Sequence, residues 1–166
     1  MKTSTKILWG LAWAAASAGT AQAQFEQYLP DSGTKEIGLS GSFNFEPVES
    51  QSIDARVGYF LNRNLELGVD GSYNRVSNGG TERTWALGGF GNWHFPTTSA
   101  LLPYVGGFVG VTDSSSGKSR SSFGAQGGAK YFFNPNVAGF AELRWRNIEA
   151  SSDQTGVFLG LSVFFK

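Results

Sequence analysis

The stretch EIGLSGSFNF, residues 36–45, alternates strictly between apolar side chains and polar or very small ones. Its apolar positions are Ile37, Leu39, Phe43 and Phe45. A period of two residues is the signature of a β-strand whose two faces have different surroundings. Which of the two faces meets water depends on where the chain resides.

The first 23 residues, MKTSTKILWGLAWAAASAGTAQA, have the layout of a secretory signal peptide. Two lysines precede an apolar run of about ten residues, and small residues ending at Ala23 supply a cleavage site. The apolar run is far shorter than the ~20 residues that a membrane-spanning helix needs. We therefore predict export, cleavage near Ala23, a short periplasmic segment at 24–33 and one domain at 34–166.

The composition excludes several classes of function. Two of the 13 basic residues lie in the signal peptide, so the mature chain carries a net charge of about −2 and offers no basic face to nucleic acid. There is no cysteine, so disulfides do not stabilise the exported chain. With one histidine and no cysteine, a zinc site has almost no ligands. We predict no metal, no cofactor and no nucleic-acid partner.

The alternation returns seven more times along the chain. The stretches are SIDARVGYFL (52–61), LELGVDGSYN (65–74), TWALGGFGNWHF (84–95), LLPYVGGFVGV (101–111), SFGAQGGAKYFF (122–133), VAGFAELRWR (137–146) and GVFLGLSVFFK (156–166). The connections at 62–64, 96–100 and 134–136 are short, those at 76–82, 112–121 and 147–155 are longer, and that near 46–51 is intermediate. Eight strands of about ten residues, with short turns at one end and longer loops at the other, predict an all-β, antiparallel, up-and-down transmembrane barrel.

A soluble ligand-binding barrel would also alternate, with its apolar face turned inward. The apolar face of this chain carries several Trp, Tyr and Phe as well as many Leu and Val, which is more than an eight-stranded interior holds. The opposite face is mostly Gly, Ser, Ala and Asn with few charged side chains, which is sparse for a soluble exterior. We predict that the apolar face contacts lipid and that the face carrying Glu36 points into the lumen.

Aromatic residues of the apolar face lie toward the strand ends, where interfacial girdles of membrane barrels are found. The predicted girdle residues are Tyr59, Tyr73, Trp85, Trp93, Tyr131, Trp145 and Phe165. The alternative is that aromatic residues are simply good strand formers, but their position at strand ends favours the girdle.

These features, with the fifth strand PYVGGFVGV (103–111) and the last strand GVFLGLSVFF (156–165), resemble the small eight-stranded outer-membrane barrels of Gram-negative bacteria. The resemblance is to OmpX and to the membrane domain of OmpA, and it covers residues 34–166. It implies a monomer in the cell outer membrane, surrounded by lipids and lipopolysaccharide, with periplasmic termini. In that family the barrel assembly machinery recognises a last strand that ends in an aromatic residue, whereas here Lys166 follows Phe165.

Inward-facing charged residues should meet one another in the lumen, and buried charges are tolerated only when they are paired. We therefore predict an ion-pair network that plugs the barrel, rather than a set of catalytic carboxylates. Its members are Glu36, Asp54, Arg56, Glu66, Asp70, Lys130, Glu142 and Arg144, and Arg146 is a further candidate.

His94 is the only histidine, and the surrounding NWHFPTTS contains no nucleophile motif, so a structural role is predicted for it. The stretch SSSGKS (114–119) resembles the end of a phosphate-binding loop, but Thr112 stands where that motif needs glycine. Lys118 and Arg120 are expected instead to contact lipopolysaccharide phosphates, the alternative being a solvated loop.

The sequence therefore predicts a non-enzymatic outer-membrane barrel that contributes to envelope integrity or to surface interactions. The first alternative is a narrow porin-like channel or small-solute-binding barrel. The second is a soluble periplasmic barrel that binds an apolar ligand.

Overall fold

The computed structural model of the protein describes residues 29–43, 50–77, 81–115, 119–149 and 153–166. The predicted signal peptide, residues 24–28 of the predicted periplasmic segment and Lys118 lie outside these ranges. No helix within the described ranges is long and apolar enough to cross a membrane.

Eight antiparallel strands close into a barrel in which each strand pairs with its neighbours in sequence and the first pairs with the last. The strands are β1 (Lys35–Phe43), β2 (Ser50–Phe60), β3 (Leu65–Ser77), β4 (Thr81–His94), β5 (Leu101–Ser114), β6 (Arg120–Asn134), β7 (Val137–Ile148) and β8 (Gln154–Phe165). The predicted fold class, an eight-stranded up-and-down barrel, is confirmed.

The predicted bounds of the long connections were wrong, because the strands continue into them. β3 runs to Ser77 and β4 begins at Thr81, while β5 runs to Ser114 and β6 begins at Arg120. These extensions contain Ser, Thr, Asp, Glu and Arg with a single Val, so the apolar alternation disappears there although backbone pairing continues. Ladder hydrogen bonds join main-chain groups and need no apolar side chain.

Strand β5 carries apolar side chains on both of its faces. Val105 and Val109 point outward and are 53% and 66% exposed, whereas Tyr104 and Phe108 point inward and are buried. Both faces of this strand are therefore apolar, one because it forms the exterior and the other because it packs against charged groups in the lumen.

Three inward phenylalanines fit the narrow lumen because each lies across the ladder from a glycine. The pairs are Phe90 with Gly68, Phe108 with Gly124 and Phe140 with Gly160. A Cβ atom at Gly160 would clash with the Phe140 ring and with the Leu39 carbonyl of the neighbouring strand. An eight-stranded interior is only just wide enough for side chains, so the missing Cβ makes room for the ring.

Replacing Gly160 with alanine is expected to lower the free energy of unfolding by about 1–3 kcal/mol, because the added methyl overpacks the lumen. The matched control is Gly41→Ala, where a Cβ would meet only the Ser52 carbonyl at 3.5 Å, an ordinary contact. Urea unfolding of the refolded barrel in lipid vesicles, followed by tryptophan fluorescence, measures both variants. Equal midpoints for the two variants would contradict the expectation.

We call the end of the barrel with the connections 61–64, 95–100 and 135–136 the turn end, and the opposite end the loop end. At the turn end the lumen is closed by an apolar cluster, against which Leu29 packs. The cluster consists of Phe60, Ala100, Leu102, Phe132, Ala138 and Phe164. The N-terminal segment is held there because the Phe60 amide donates to the Thr34 carbonyl at 2.9 Å. Outside the barrel wall, the Arg63 guanidinium donates to Asp31 at 2.6 Å, and this hydrogen bond lowers the pKa of the Asp31 carboxyl.

Candidate functional site

Ionisable side chains from six strands occupy the middle of the lumen, and they include all eight residues predicted for the network. They form two groups. The turn-end cluster consists of Glu36, Glu66, His94 and Lys130. The loop-end cluster consists of Asp54, Arg56, Asp70, Glu142 and Arg144.

In the turn-end cluster, one ammonium group lies between two carboxylates. Lys130 Nζ donates to Glu36 and, at 3.1 Å, to Glu66 Oε2. His94 Nε2 lies 2.9 Å from the same Glu66 oxygen, and Ser162 Oγ donates to Glu36 Oε1 at 2.7 Å. The side chains of both carboxylates and of Lys130 are fully buried. Such charges are tolerated away from water only because each has a partner of opposite sign.

Aromatic rings surround the buried ammonium group. Lys130 Nζ is 5.4 Å from the ring centres of Phe60 and Tyr104 and 5.6 Å from that of Phe164. The faces of these rings carry negative electrostatic potential, so they add to the attraction from the two carboxylates. The apolar cluster at the turn end therefore also stabilises the charge above it.

The loop-end cluster is centred on Glu142. Arg56 donates to both of its carboxylate oxygens, each at 3.1 Å, which is the bidentate geometry typical of strong guanidinium–carboxylate pairs. Arg144 donates to Glu142 Oε1 through Nη2 at 2.8 Å and through Nε at 3.1 Å, and Tyr104 Oη donates to Oε2 at 2.7 Å. Arg144 Nη1 also donates to Asp70 at 3.0 Å.

The two guanidinium groups stack on inward phenylalanines. Arg56 lies 4.6 Å from the ring centre of Phe140, and Arg144 lies 4.8 Å from that of Phe158 and 5.2 Å from that of Phe108. Aromatic side chains therefore share the lumen with the polar and charged side chains. A planar guanidinium binds carboxylates at its edge and rings on its faces, so the aromatic side chains fill the space that the ion pairs leave.

Several members of the network were not predicted. Asn92 Nδ2 donates to Glu66 at 3.2 Å, and Gln126 Nε2 donates to Asn92 Oδ1 at 2.7 Å. Tyr104 and His94 also belong to the network through their bonds to the carboxylates. The alternation placed each of these residues on the inward face, but it contained no signal for the height in the barrel or for the partner.

His94 is held as a structural member of the network. Its described contacts are the hydrogen bond to Glu66 and ring contacts with Phe60 and Tyr104 at 5.0 and 5.3 Å. Within the described part of the chain, its Nδ1 atom has no hydrogen-bond partner. Tyr104 carries a hydroxyl, and that hydroxyl donates to Glu142.

A small cavity lies above the loop-end cluster. A cavity of about 10 Å³, close to the volume that one water centre needs, lies between Asp70, Phe108, Ser122 and Arg146. Arg146, the further candidate of the sequence analysis, borders this cavity and lies 5.3 Å from the ring centre of Phe108.

The predicted girdle residues all occupy outward-facing strand positions, and they lie toward both ends of the barrel. Tyr59, Trp93, Tyr131 and Phe165 lie toward the turn end, and Tyr73, Trp85 and Trp145 lie toward the loop end. Trp85 is the most exposed of them at 61%, and its ring centre lies 4.5 Å from that of Tyr73, with the two ring planes tilted by 51°. Arg120 is exposed at the first position of β6, whereas its predicted companion Lys118 is outside the described residues.

No protein-family model and no curated protein matches the chain by sequence. Solved structures match its fold. Neisserial surface protein A matches with a TM-score of 0.61 and 18% identity, over 80% of this chain and 94% of that one. OprG from Pseudomonas aeruginosa matches with a TM-score of 0.59 and 10% identity, over 84% and 98% of the two chains.

The N-terminal β-barrel domain of OprF from Pseudomonas aeruginosa matches with a TM-score of 0.54 and 20% identity, over 82% of this chain and 100% of that one. At such identities the likeness concerns the fold rather than the activity. The closed eight-stranded topology, the charged lumen and these matches together show that the chain has the fold of the small outer-membrane β-barrels, of the OmpX and OmpA type.

Proposed function

We propose that the protein is a non-enzymatic barrel of the outer membrane with a closed lumen, which contributes to envelope integrity or to surface interactions. The observation that carries this proposal is the reversed polarity of the barrel. Leu39 and Leu159 on the outside are 60% and 51% exposed, whereas Glu66 and Lys130 inside are fully buried. A continuous apolar exterior of this kind is unfavourable in water and favourable in the hydrocarbon core of a bilayer.

The height of the apolar exterior fits a bilayer. On β4 the outward aromatic residues Trp93 and Trp85 are eight positions apart, which is about 26 Å along a strand. A strand tilt of 35–45° reduces this to about 20 Å, close to the ~25 Å apolar band of outer-membrane barrels.

The expected surroundings follow from this location. Residues 1–23 act as the export signal and are removed near Ala23, residues 24–33 remain in the periplasm, and residues 34–166 form the barrel. Both termini then lie in the periplasm, and the connections between β3 and β4 and between β5 and β6 face the cell exterior. The barrel assembly machinery inserts the chain, which acts as a monomer among outer-membrane lipids and lipopolysaccharide.

The buried network supports a closed lumen rather than a channel. Ions would have to pass the Lys130 and Glu142 ion pairs and the apolar cluster around Phe132, and the cavity above them holds about one water. Buried ion pairs separate only at high cost, because each charge would be left without a partner.

The test combines cell fractionation with electrical recording. We expect the protein in the outer-membrane fraction, with different mobilities for unboiled and boiled samples on a denaturing gel. In planar bilayers, the eight-stranded form is expected to give no sustained conductance. A soluble periplasmic band without a mobility shift would contradict the membrane barrel, whereas a shifted band with sustained conductance would contradict the closed lumen and favour the narrow channel.

A further inference from the structure

The outer surface of the barrel contains a mostly apolar groove of about 500 Å³ that extends from β2 across β3 and β4 to β5. Its floor is formed by Ala55 and Gly71, which are direct partners in the β2–β3 ladder. Larger side chains rise on its sides: Ile53, Tyr73, Trp85 and Leu87. Small residues flanked by large ones make a recess on a surface that otherwise carries protruding side chains.

Two arginines stand at the loop end of this groove. Arg75 and Arg83 are direct partners in the β3–β4 ladder, and each is two residues beyond a member of the Tyr73–Trp85 pair. Both arginines are exposed, and their positions share the outward face with that pair. The groove therefore ends in two positive charges at the level of the aromatic girdle.

The arrangement of the two arginines is unfavourable without an anion. Like charges directly opposite each other on antiparallel strands repel, because their Cβ atoms are only about 5 Å apart. Among the side chains that the structure describes, no ion pair joins either arginine to a carboxylate. Asp113, which also borders the groove, lies opposite Trp85 rather than opposite an arginine.

We propose that this surface binds one phosphorylated glycolipid of the outer leaflet, with its phosphate between Arg75 and Arg83 and an acyl chain in the groove. The proposal rests on the proposed function, because only a barrel in the outer membrane with its loops outside presents this site to lipopolysaccharide. Guanidinium groups bind phosphate oxygens in pairs, so two opposed arginines can share one phosphate. The apolar recess directly below them matches a lipid whose charged headgroup is attached to a hydrocarbon chain.

The site differs from the Lys118 and Arg120 contact predicted from the sequence. Arg120 lies on β6, two strands away from Arg83, and it does not border this groove. Asp113 sits beside the proposed site with a charge of the same sign as the ligand. It should therefore weaken binding, and its removal should strengthen it.

Binding of diphosphoryl lipid A to the refolded full-length mature chain in detergent micelles, measured by native mass spectrometry, tests the proposal. The double variant Arg75→Gln/Arg83→Gln is expected to bind about tenfold more weakly than the wild type, and Asp113→Asn about threefold more tightly. Arg63→Gln, at the turn end, is the matched control and should bind as the wild type does. Lipid A without phosphates should bind the wild type about tenfold more weakly.

Heat-dependent mobility on an unboiled gel shows for each variant that the barrel is folded. Unchanged lipid A affinity in the folded double variant would overturn the inference while leaving the proposed function intact. Loss of binding in Arg120→Gln but not in the double variant would overturn it in favour of the other site. Inorganic phosphate should not displace lipid A at equal concentration, and equal competition would overturn the lipid as occupant. A soluble chain in the fractionation experiment would instead refute the proposed function.

Discussion

Replacing Glu142 with glutamine is expected to lower the free energy of unfolding by about 3–5 kcal/mol, because it removes the charge that two buried guanidinium groups share. Arg56 and Arg144 are 3% and 2% exposed, and both donate to this one carboxylate. Glutamine has nearly the same volume, so the loss reflects charge and hydrogen bonding rather than a cavity.

The measurement is a urea titration of the barrel in lipid vesicles, in which the folded fraction is the fast-migrating band of unboiled samples. Glu149→Gln is the control, because Glu149 is exposed just after the end of β7. The double variant Arg56→Gln/Glu142→Gln removes one of the two unpaired cations and should recover about half of the lost free energy of unfolding. If Glu142→Gln unfolds at the same urea concentration as the control, the loop-end cluster does not stabilise the barrel.

Replacing Lys130 with methionine is also expected to lower the free energy of unfolding by about 3–5 kcal/mol, because it leaves buried negative charge without a cation. The change leaves Glu36 and Glu66 buried next to each other without the ammonium group that both contact. Methionine keeps most of the aliphatic stem, and the rings of Phe60 and Phe164 still surround it. The effect therefore reports the missing charge and not the missing packing.

The same urea titration applies to this variant, with Lys35→Met as the control at an exposed outward position of β1. Adding Glu36→Gln to Lys130→Met should restore much of the stability, because Glu66 then remains alone with His94. A Lys130→Met barrel as stable as the Lys35→Met barrel would show that the two carboxylates do not need their shared cation.

The alternation in the sequence was sufficient for the number of strands and for the direction of each side chain. Successive side chains of a strand point to opposite faces, so the inward position of Glu36 or Lys130 follows from its own strand alone. The outward position of Trp85 and Trp93 follows in the same way. The strand ends near residues 76–82 and 112–121 could not be found like this, because polar residues continue the ladder without an apolar signal.

The partners and heights of the inward side chains depend on the closed barrel. Arg56 and Glu142 are 86 positions apart, and Lys130 and Glu36 are 94 apart, so their contacts require the stagger of every intervening ladder and the closure of β1 on β8. The placing of each phenylalanine ring against a glycine, as at Phe140 and Gly160, depends on the same registers. The direction of a side chain is a local property of the backbone, whereas its partner in the lumen depends on the registers of all the strand pairs between the two residues.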